Sequence, residues 1–475
     1  MNKFKLFMEN FLVYGLGGII SKIVPLIMVP IVTRLMPGTK YYGIYDLSNT
    51  VISFGSAIAV MGMYDAMYRL FFEKEDNNFK KSVCSTTLVF TLFTSLIVFL
   101  LMLFFRTLIA QYFFSDRKYA YVVYISAIAA LVTATNNIIA APTRMQNKRR
   151  VFLITNTISP IISYSIAIPM LLRGYYVVAL PIAGVISGIT MELTFAILNH
   201  NWFSFKLFDF GILKQLLPIA IPLLPNFLIY WVFNSADKVM ITNMIGVGAA
   251  GIYSVGSKLG QASQLIYTAF AGGWQYFAFS TMYEKNQVKS NSIIFEYLGI
   301  VSFSATTLIC AWTHLLFKVL FTRQYLNGYI IAPYLFLAPL LLMLFQVACN
   351  QFLVIKKTWP NMLILSLGAI VNILVNWVMI PVLGIEGASI ATLIGYVVSV
   401  IVCCMVLIKM ELMVISKRFV FACLLMAVYF VIWRFCFSSD ALIGTSIAII
   451  FILLFCFIYK ADIQKFINMI KSEKS

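Results

Sequence analysis

YGLGGIISKIVPLIMVPIVTRLMPGTKYYGIY, residues Tyr14–Tyr45, decides the class of this chain. From Phe11 to Leu35 the sequence is nearly all apolar, long enough to cross a bilayer as one helix. Lys22 stands about eleven residues in, roughly 16 Å from the helix start at the rise of an α-helix, beyond the reach of a snorkelling lysine stem. An ammonium facing lipid at that depth is costly, so intramembrane cations are read as functional. Lys22 is expected to face a water-filled cavity or a bound anion. The alternative is a lysine neutralised in a helix–helix contact. Pro25 and Pro30 follow on the same helix; each removes a backbone donor, and both are expected to bend it. A cation beside a proline-bent span is the pattern of a transporter site.

The rest of the composition agrees with a membrane protein. Of 475 residues, 61% are hydrophobic and only 11% charged, with mean hydropathy +0.93. Soluble domains carry far more charge. The net charge of +18 invites a nucleic-acid reading. That reading is excluded here because the basic residues sit in short clusters between apolar runs, which is how membrane topology is set. The eight cysteines are scattered, mostly within apolar runs, and show neither ligand spacing nor a disulfide framework. His200 and His314 lie far apart, so no metal site is expected, nor any cofactor. The first apolar stretch is too long for a cleavable signal peptide and lacks a small-residue cleavage site.

Apolar runs of bilayer length predict an all-α polytopic protein with about fourteen transmembrane helices. Their expected limits are about 11–36, 45–71, 82–105, 119–141, 151–172, 176–198, 215–236, 248–281, 291–312, 330–354, 359–381, 387–409, 417–435 and 441–459. Counting Lys and Arg between them gives a bias of better than two to one when both termini are cytoplasmic. That count places Lys238 in an outside connection and Lys22 and Lys258 within spans. The connections are short, leaving no room for an extramembrane catalytic domain.

An internal repeat runs through the chain. Gly43-Ile44-Tyr45 recurs as Gly251-Ile252-Tyr253. Asp46, Asn49, Ser53 and Ser56 step at helical spacing and so share one face. At the same offset stand Ser254, Ser257, Gln261 and Gln264, again all polar. Two parallel six-helix lobes follow, about 1–200 and 201–410, with two further helices and a tail in 411–475. The binding site is expected between the lobes. Chance polar stripes that merely join helices are the alternative.

Each lobe then carries one intramembrane cation, Lys22 and Lys258. Lysine is a common phosphate ligand, acting as a point charge, so the pair is assigned to an anion or diphosphate. The polar lining is assigned to Asp46, Asn49, Ser53, Asn226, Asn234, Ser257, Gln261 and Gln264, whose amides and hydroxyls suit sugar hydroxyls. Interhelical hydrogen bonding is the bland reading of single Asn and Gln residues. Pro222 and Pro225 join Pro25 and Pro30 as expected bending points. Asn136, Asn137, Asn156 and Glu192 add polar groups elsewhere. Asp65 and Arg69 form an i,i+4 pair, read either as a local ion pair or as a substrate contact. No residue is assigned a catalytic role.

Several stretches carry a resemblance. The opening stretch through Leu47, GMYDAMYRLFFE at Gly62–Glu73, ADKVMI at Ala236–Ile241, GAAGIYSVGSKL at Gly248–Leu259 and NWVMIPVLGIEGASIAT at Asn376–Thr392 resemble bacterial polysaccharide-repeat-unit flippases. These belong to the multidrug/oligosaccharidyl-lipid/polysaccharide exporter superfamily. The resemblance implies two six-helix lobes with two further helices and a cationic cavity. It implies transfer of an undecaprenyl-diphosphate-linked oligosaccharide to the outer leaflet of the bacterial cytoplasmic membrane, for O-antigen or capsule synthesis. It also implies a lipid bilayer, a polysaccharide polymerase and glycosyltransferases as partners, and no nucleic acid. The family often has arginine where this chain has Lys22 and Lys238; lysine keeps the charge but loses bidentate geometry.

The expected mechanism is alternating access, with the diphosphate paired to Lys22 and Lys258 and the polyprenyl tail left in lipid. A multidrug exporter of the same superfamily is one rival; it predicts buried carboxylates as the dominant charges. A flippase for the peptidoglycan precursor is another. A membrane enzyme, such as a polymerase or sugar transferase, needs catalytic residues on a sizeable loop, which the short connections deny it.

Overall fold

The computed structural model describes residues 23–267, 270, 274, 278, 286–355, 357, 359–464 and 468. Among them there is helix and no strand. Eleven helices are long and apolar enough to cross a membrane, and a bent pair makes a twelfth. Spans 11–36 and 248–281 of the fourteen expected fall partly outside the described residues, so that count stands at twelve within them. The chain divides into two compact units. One runs as far as Val255 and includes Asn376–Ala388; the other comprises Gly256–Val375 and Ser389–Ser475.

In the first unit the order is α1 (Ile23–Leu35), α2 (Thr39–Val60), α3 (Met63–Phe71), α4 (Asn77–Phe104) and α5 (Arg106–Phe114). Then come α6 (Ala120–Met145), α7 (Arg149–Leu172), α8 (Ala179–Leu198), α9 (Phe210–Ala220) and α10 (Leu224–Met244). The chain continues through α11 (Val247–Gly260). Acidic residues in the connections serve as caps. Asp76 accepts hydrogen bonds from the backbone N–H of Asn78 and Phe79 at 3.1 and 3.0 Å, starting α4. Asp209 does the same for α9 through Gly211 and Ile212. Each cap satisfies donors that the first helical turn leaves open, worth about 1 kcal/mol. Two apolar clusters hold the unit together. One gathers Met63, Met67 and Phe71 with Cys84, Ile138 and Leu216. The other gathers Ile44, Leu47 and Val51 with Phe114, Val123 and Val239.

The expected span 45–71 is broken. Helices α2 and α3 meet at 45°. Met61 and Gly62 take left-handed conformations there, at φ 49° and 75°. A Cβ at Gly62 would lie 2.5 Å from the carbonyl oxygen of Ala220. Both the backbone angle and the close approach therefore require glycine at this point. The seventh span behaves differently: Phe210–Met244 passes as one length of helix, with a 3₁₀ turn at Ile221–Leu223 between α9 and α10.

The second unit holds α12 (Gln287–Leu320), α13 (Ala332–Val354), α14 (Trp359–Leu383), α15 (Ile385–Lys409), α16 (Lys417–Ile432) and α17 (Ala441–Ile458), apart from the segment assigned to the first unit. Helix α13 is buried over most of its length. Glu296, 4% exposed on α12, ties down the start of α16. It accepts hydrogen bonds from the Ser416 backbone N–H and hydroxyl, both at 2.7 Å, and from the Tyr459 hydroxyl at 3.0 Å. Farther along, Tyr429 and Trp433 donate to the carbonyls of Thr307 and Cys310. Helix α16 is thus pinned to α12 at both ends, and α17 at its C-terminal end.

Candidate functional site

The repeated motif of the sequence meets its own copy. Helices α2 and α11 cross where Gly43 faces Gly251. A Cβ on Gly43 would lie 2.3 Å from the Val247 carbonyl oxygen, and one on Gly251 would lie 2.0 Å from that of Thr39. Only two glycines allow backbones this close. One turn on, the equivalent residues Asp46 and Ser254 also touch: the Ser254 hydroxyl donates to Asp46 Oδ2 at 2.7 Å.

A buried charge pair closes the crossing. Lys238 Nζ of α10 stands 2.6 Å from Asp46 Oδ2, with the two residues 8% and 1% exposed. Next to it in sequence, Asp237 accepts from the Tyr253 hydroxyl at 2.5 Å and from the Asn376 amide at 2.6 Å. Four chain segments are therefore joined by carboxylates that have left water. Such an arrangement holds only while every partner is present, because a lone buried charge is far more costly than a pair.

Farther along the same span lies a cavity of about 630 Å³, walled by α2, α3, α6, α7, α8 and α10. Its polar wall includes Asp65, Asn136, Asn137, Arg144 and Asn156, and Tyr64, Phe152 and Phe227 supply aromatic surface. The guanidinium of Arg144 stacks on Phe152 at 4.6 Å and donates to the Tyr64 hydroxyl at 3.3 Å. Among the described residues no ion pair joins Asp65 to Arg69 or to Arg144. The Asn136 carbonyl oxygen is buried without a hydrogen-bond partner.

The residues assigned from sequence are only partly gathered together. Lys22 lies outside the described residues. Lys258 is half-buried on α11. Asp46 is buried in the ion pair. Asn49 is half-buried, and Ser53 is exposed, its hydroxyl turned back to the Thr50 carbonyl at 2.9 Å. Asn234 is exposed and donates to the Tyr230 carbonyl of its own helix, while Asn226 is half-buried. Ser257 is buried; Gln261 and Gln264 are half-buried on the segment after it. Pro25 and Pro30 stand in α1, and Thr33 donates to the Pro30 carbonyl. Pro222 falls in the 3₁₀ turn and Pro225 in the first turn of α10.

Lys238 is the correction that matters most. The charge count put it in an outside connection, but α10 continues to Met244 and buries it. Its signal was present in ADKVMI, two adjacent charges in an apolar frame. Its partner, far off in the chain, was not visible locally. The cavity was missed for a similar reason. Its amides were noted singly, and the walls that unite them come from separate helices.

The model of a family described as "Polysaccharide biosynthesis protein" matches residues 31–330. No curated protein sequence matches the chain. Among solved structures, the fold is similar to a lipid II flippase, MurJ, in an inward closed conformation, with TM-score 0.71 and 16% identity over 95% of this chain and 100% of that one. It is also similar to an inward-facing multidrug resistance MATE family transporter of the MOP superfamily, with TM-score 0.61 and 13% identity, covering 83% and 98% of the two chains. A Vibrio cholerae MATE transporter gives TM-score 0.61 at 12% identity, covering 85% and 96%. At these identities the likeness concerns the fold. With most of its length matched by the family model, this multi-pass membrane protein belongs to the polysaccharide biosynthesis protein family, and its fold is similar to those of the solved flippase and transporters above.

Proposed function

We propose that this chain moves undecaprenyl-diphosphate-linked oligosaccharide units across the bacterial cytoplasmic membrane, for surface polysaccharide synthesis. The observation that carries this reading is membership of a polysaccharide biosynthesis family joined to a fold similar to that of a lipid II flippase. The charge count adds an orientation. If both termini are cytoplasmic, the Lys148–Arg150 connection is inside. The Arg144 cavity then opens toward the cytoplasm, where the substrate is made, and the Asp46–Lys238 closure lies at the opposite end of the same span.

Transport proceeds by alternating access between lobes 1–200 and 201–410. Lys22 and Lys258 hold the diphosphate, and the proline-bearing first and seventh spans flex. The protein forms and breaks no covalent bond in its substrate. A cation exporter would instead need its buried carboxylates free; Asp46 is held by Lys238 and Ser254, which favours the flippase. A lipid-linked peptidoglycan precursor remains a related substrate.

The test uses cells lacking the protein, complemented with wild type, Lys22→Gln or Lys258→Gln, and reads polyprenyl-diphosphate oligosaccharide by leaflet. Build-up on the cytoplasmic face, relieved by wild type and by neither variant, supports the reading. Absence of build-up, with sensitivity to cationic dyes instead, favours the exporter. Variants that relieve the build-up as wild type does leave the function standing and remove the two lysines from the site.

A further inference from the structure

We infer that the cavity inside the first unit is a subsite for the neutral glycan of the transported lipid, with Asp65, Asn136, Arg144 and Asn156 reading sugar hydroxyl and amide groups. This rests on the flippase reading and deepens it.

The volume of about 630 Å³ comes first. It falls within the roughly 300–1,000 Å³ of small-molecule sites, far more than an ion needs. Charge comes next. Asp65 and Arg144 share the wall without an ion pair between them. A diphosphate would be repelled by Asp65, and a cationic drug by Arg144. A neutral polyhydroxyl group suits both, donating to the carboxylate and accepting from the guanidinium.

Arg144 is also held ready for such a partner. Stacking on Phe152 and the bond to Tyr64 fix its plane, and one donor is engaged of the five a guanidinium carries. Asn136 and Asn137 add two amides to the same wall. Asn156 spends its own amide N–H on the Phe152 carbonyl at 2.9 Å, which leaves its oxygen to accept from a ligand.

Direct binding tests this. The purified full chain in nanodiscs competes for polyprenyl diphosphate, bare or carrying a neutral trisaccharide, with bound lipid identified by native mass spectrometry. Wild type is expected to prefer the glycosylated lipid by about tenfold or more, which corresponds to about 1.4 kcal/mol. Asp65→Asn with Asn156→Ala should bring the two lipids to equal binding, with affinity for the bare lipid unchanged. A preference kept in the double variant overturns the glycan site and leaves the flippase reading intact. Wild type binding bare and glycosylated lipid equally also overturns it. Wild type binding neither lipid defeats the flippase reading itself.

A second measurement covers a double variant that fails to fold. Maleimide labelling of Asn156→Cys, read on its own peptide, should be slowed by the glycosylated lipid and not by the bare one. Equal labelling rates overturn the proposal.

Discussion

Replacing Lys238 with methionine keeps the length of the side chain and removes the charge opposite Asp46. The carboxylate is 1% exposed and keeps the Ser254 hydroxyl as a partner. Breaking one buried pair costs about 3–5 kcal/mol because the other charge stays buried. The retained Ser254 bond puts Lys238→Met near the lower end, about 3 kcal/mol. Asp46→Asn is expected to cost as much, since it strands an ammonium that is 8% exposed. At about 2–4 °C per kcal/mol for a unit of this size, each single variant should melt about 6–12 °C below wild type.

The double variant Asp46→Asn/Lys238→Met removes both charges and leaves a neutral amide for Ser254. It should recover at least half of either single loss, giving a coupling well above the roughly 0.5 kcal/mol scatter of independent sites. Thermal unfolding of the four purified proteins in one detergent closes the cycle. Additive losses, or single variants that melt with wild type, would refute the idea that this pair holds the crossing together.

The other predictions rest on close contacts. Gly251→Ala should abolish accumulation of folded protein, because its Cβ would lie 2.0 Å from the Thr39 carbonyl oxygen; a normal size-exclusion profile would contradict this. Gly62→Ala combines a φ of 75° with a 2.5 Å approach to the Ala220 oxygen. It should cost at least about 1–3 kcal/mol, read as a lower melting temperature, and a variant as stable as wild type would show that the α2–α3 break can relax. Glu296→Gln weakens charged hydrogen bonds to Ser416 that are worth about 1.5–3 kcal/mol. Limited proteolysis should then cut faster in the 410–416 connection, and unchanged cleavage would mean that α16 is held elsewhere.

Much of the architecture was legible because bilayer length and apolar runs are local properties. Expected limits such as 359–381 and 387–409 lie within a few residues of Trp359–Leu383 and Ile385–Lys409. Gly43-Ile44-Tyr45 and its recurrence at Gly251-Ile252-Tyr253 stand in the sequence, but nothing local tells that the two motifs touch. The break at Met61-Gly62 was hidden because it interrupts no apolar run; it is a matter of φ and of an Ala220 carbonyl that only folding brings near. Lys238 was misplaced because local reading ends a span at adjacent charges, whereas the helix continues once Asp46 neutralises one of them. The stripe Asp46–Asn49–Ser53 was read as one lining, yet its members divide. Asp46 is consumed by an ion pair, Ser53 bonds its own helix, and Asn49 sits half-buried between them. Hydrogen bonding of Ser and Asn to nearby carbonyls competes with ligand binding in this way throughout the spans.

Transfer of a lipid-linked glycan across a bilayer by this chain is tested most directly by reconstitution: purified protein in proteoliposomes loaded with fluorescent polyprenyl-diphosphate oligosaccharide, with the outer leaflet probed by a membrane-impermeant glycosidase. Protein-bearing vesicles are expected to expose the inner-leaflet pool to cleavage, while empty vesicles keep about half of the lipid protected. A protected pool that persists in the presence of folded protein, under both a membrane potential and a proton gradient, would contradict it.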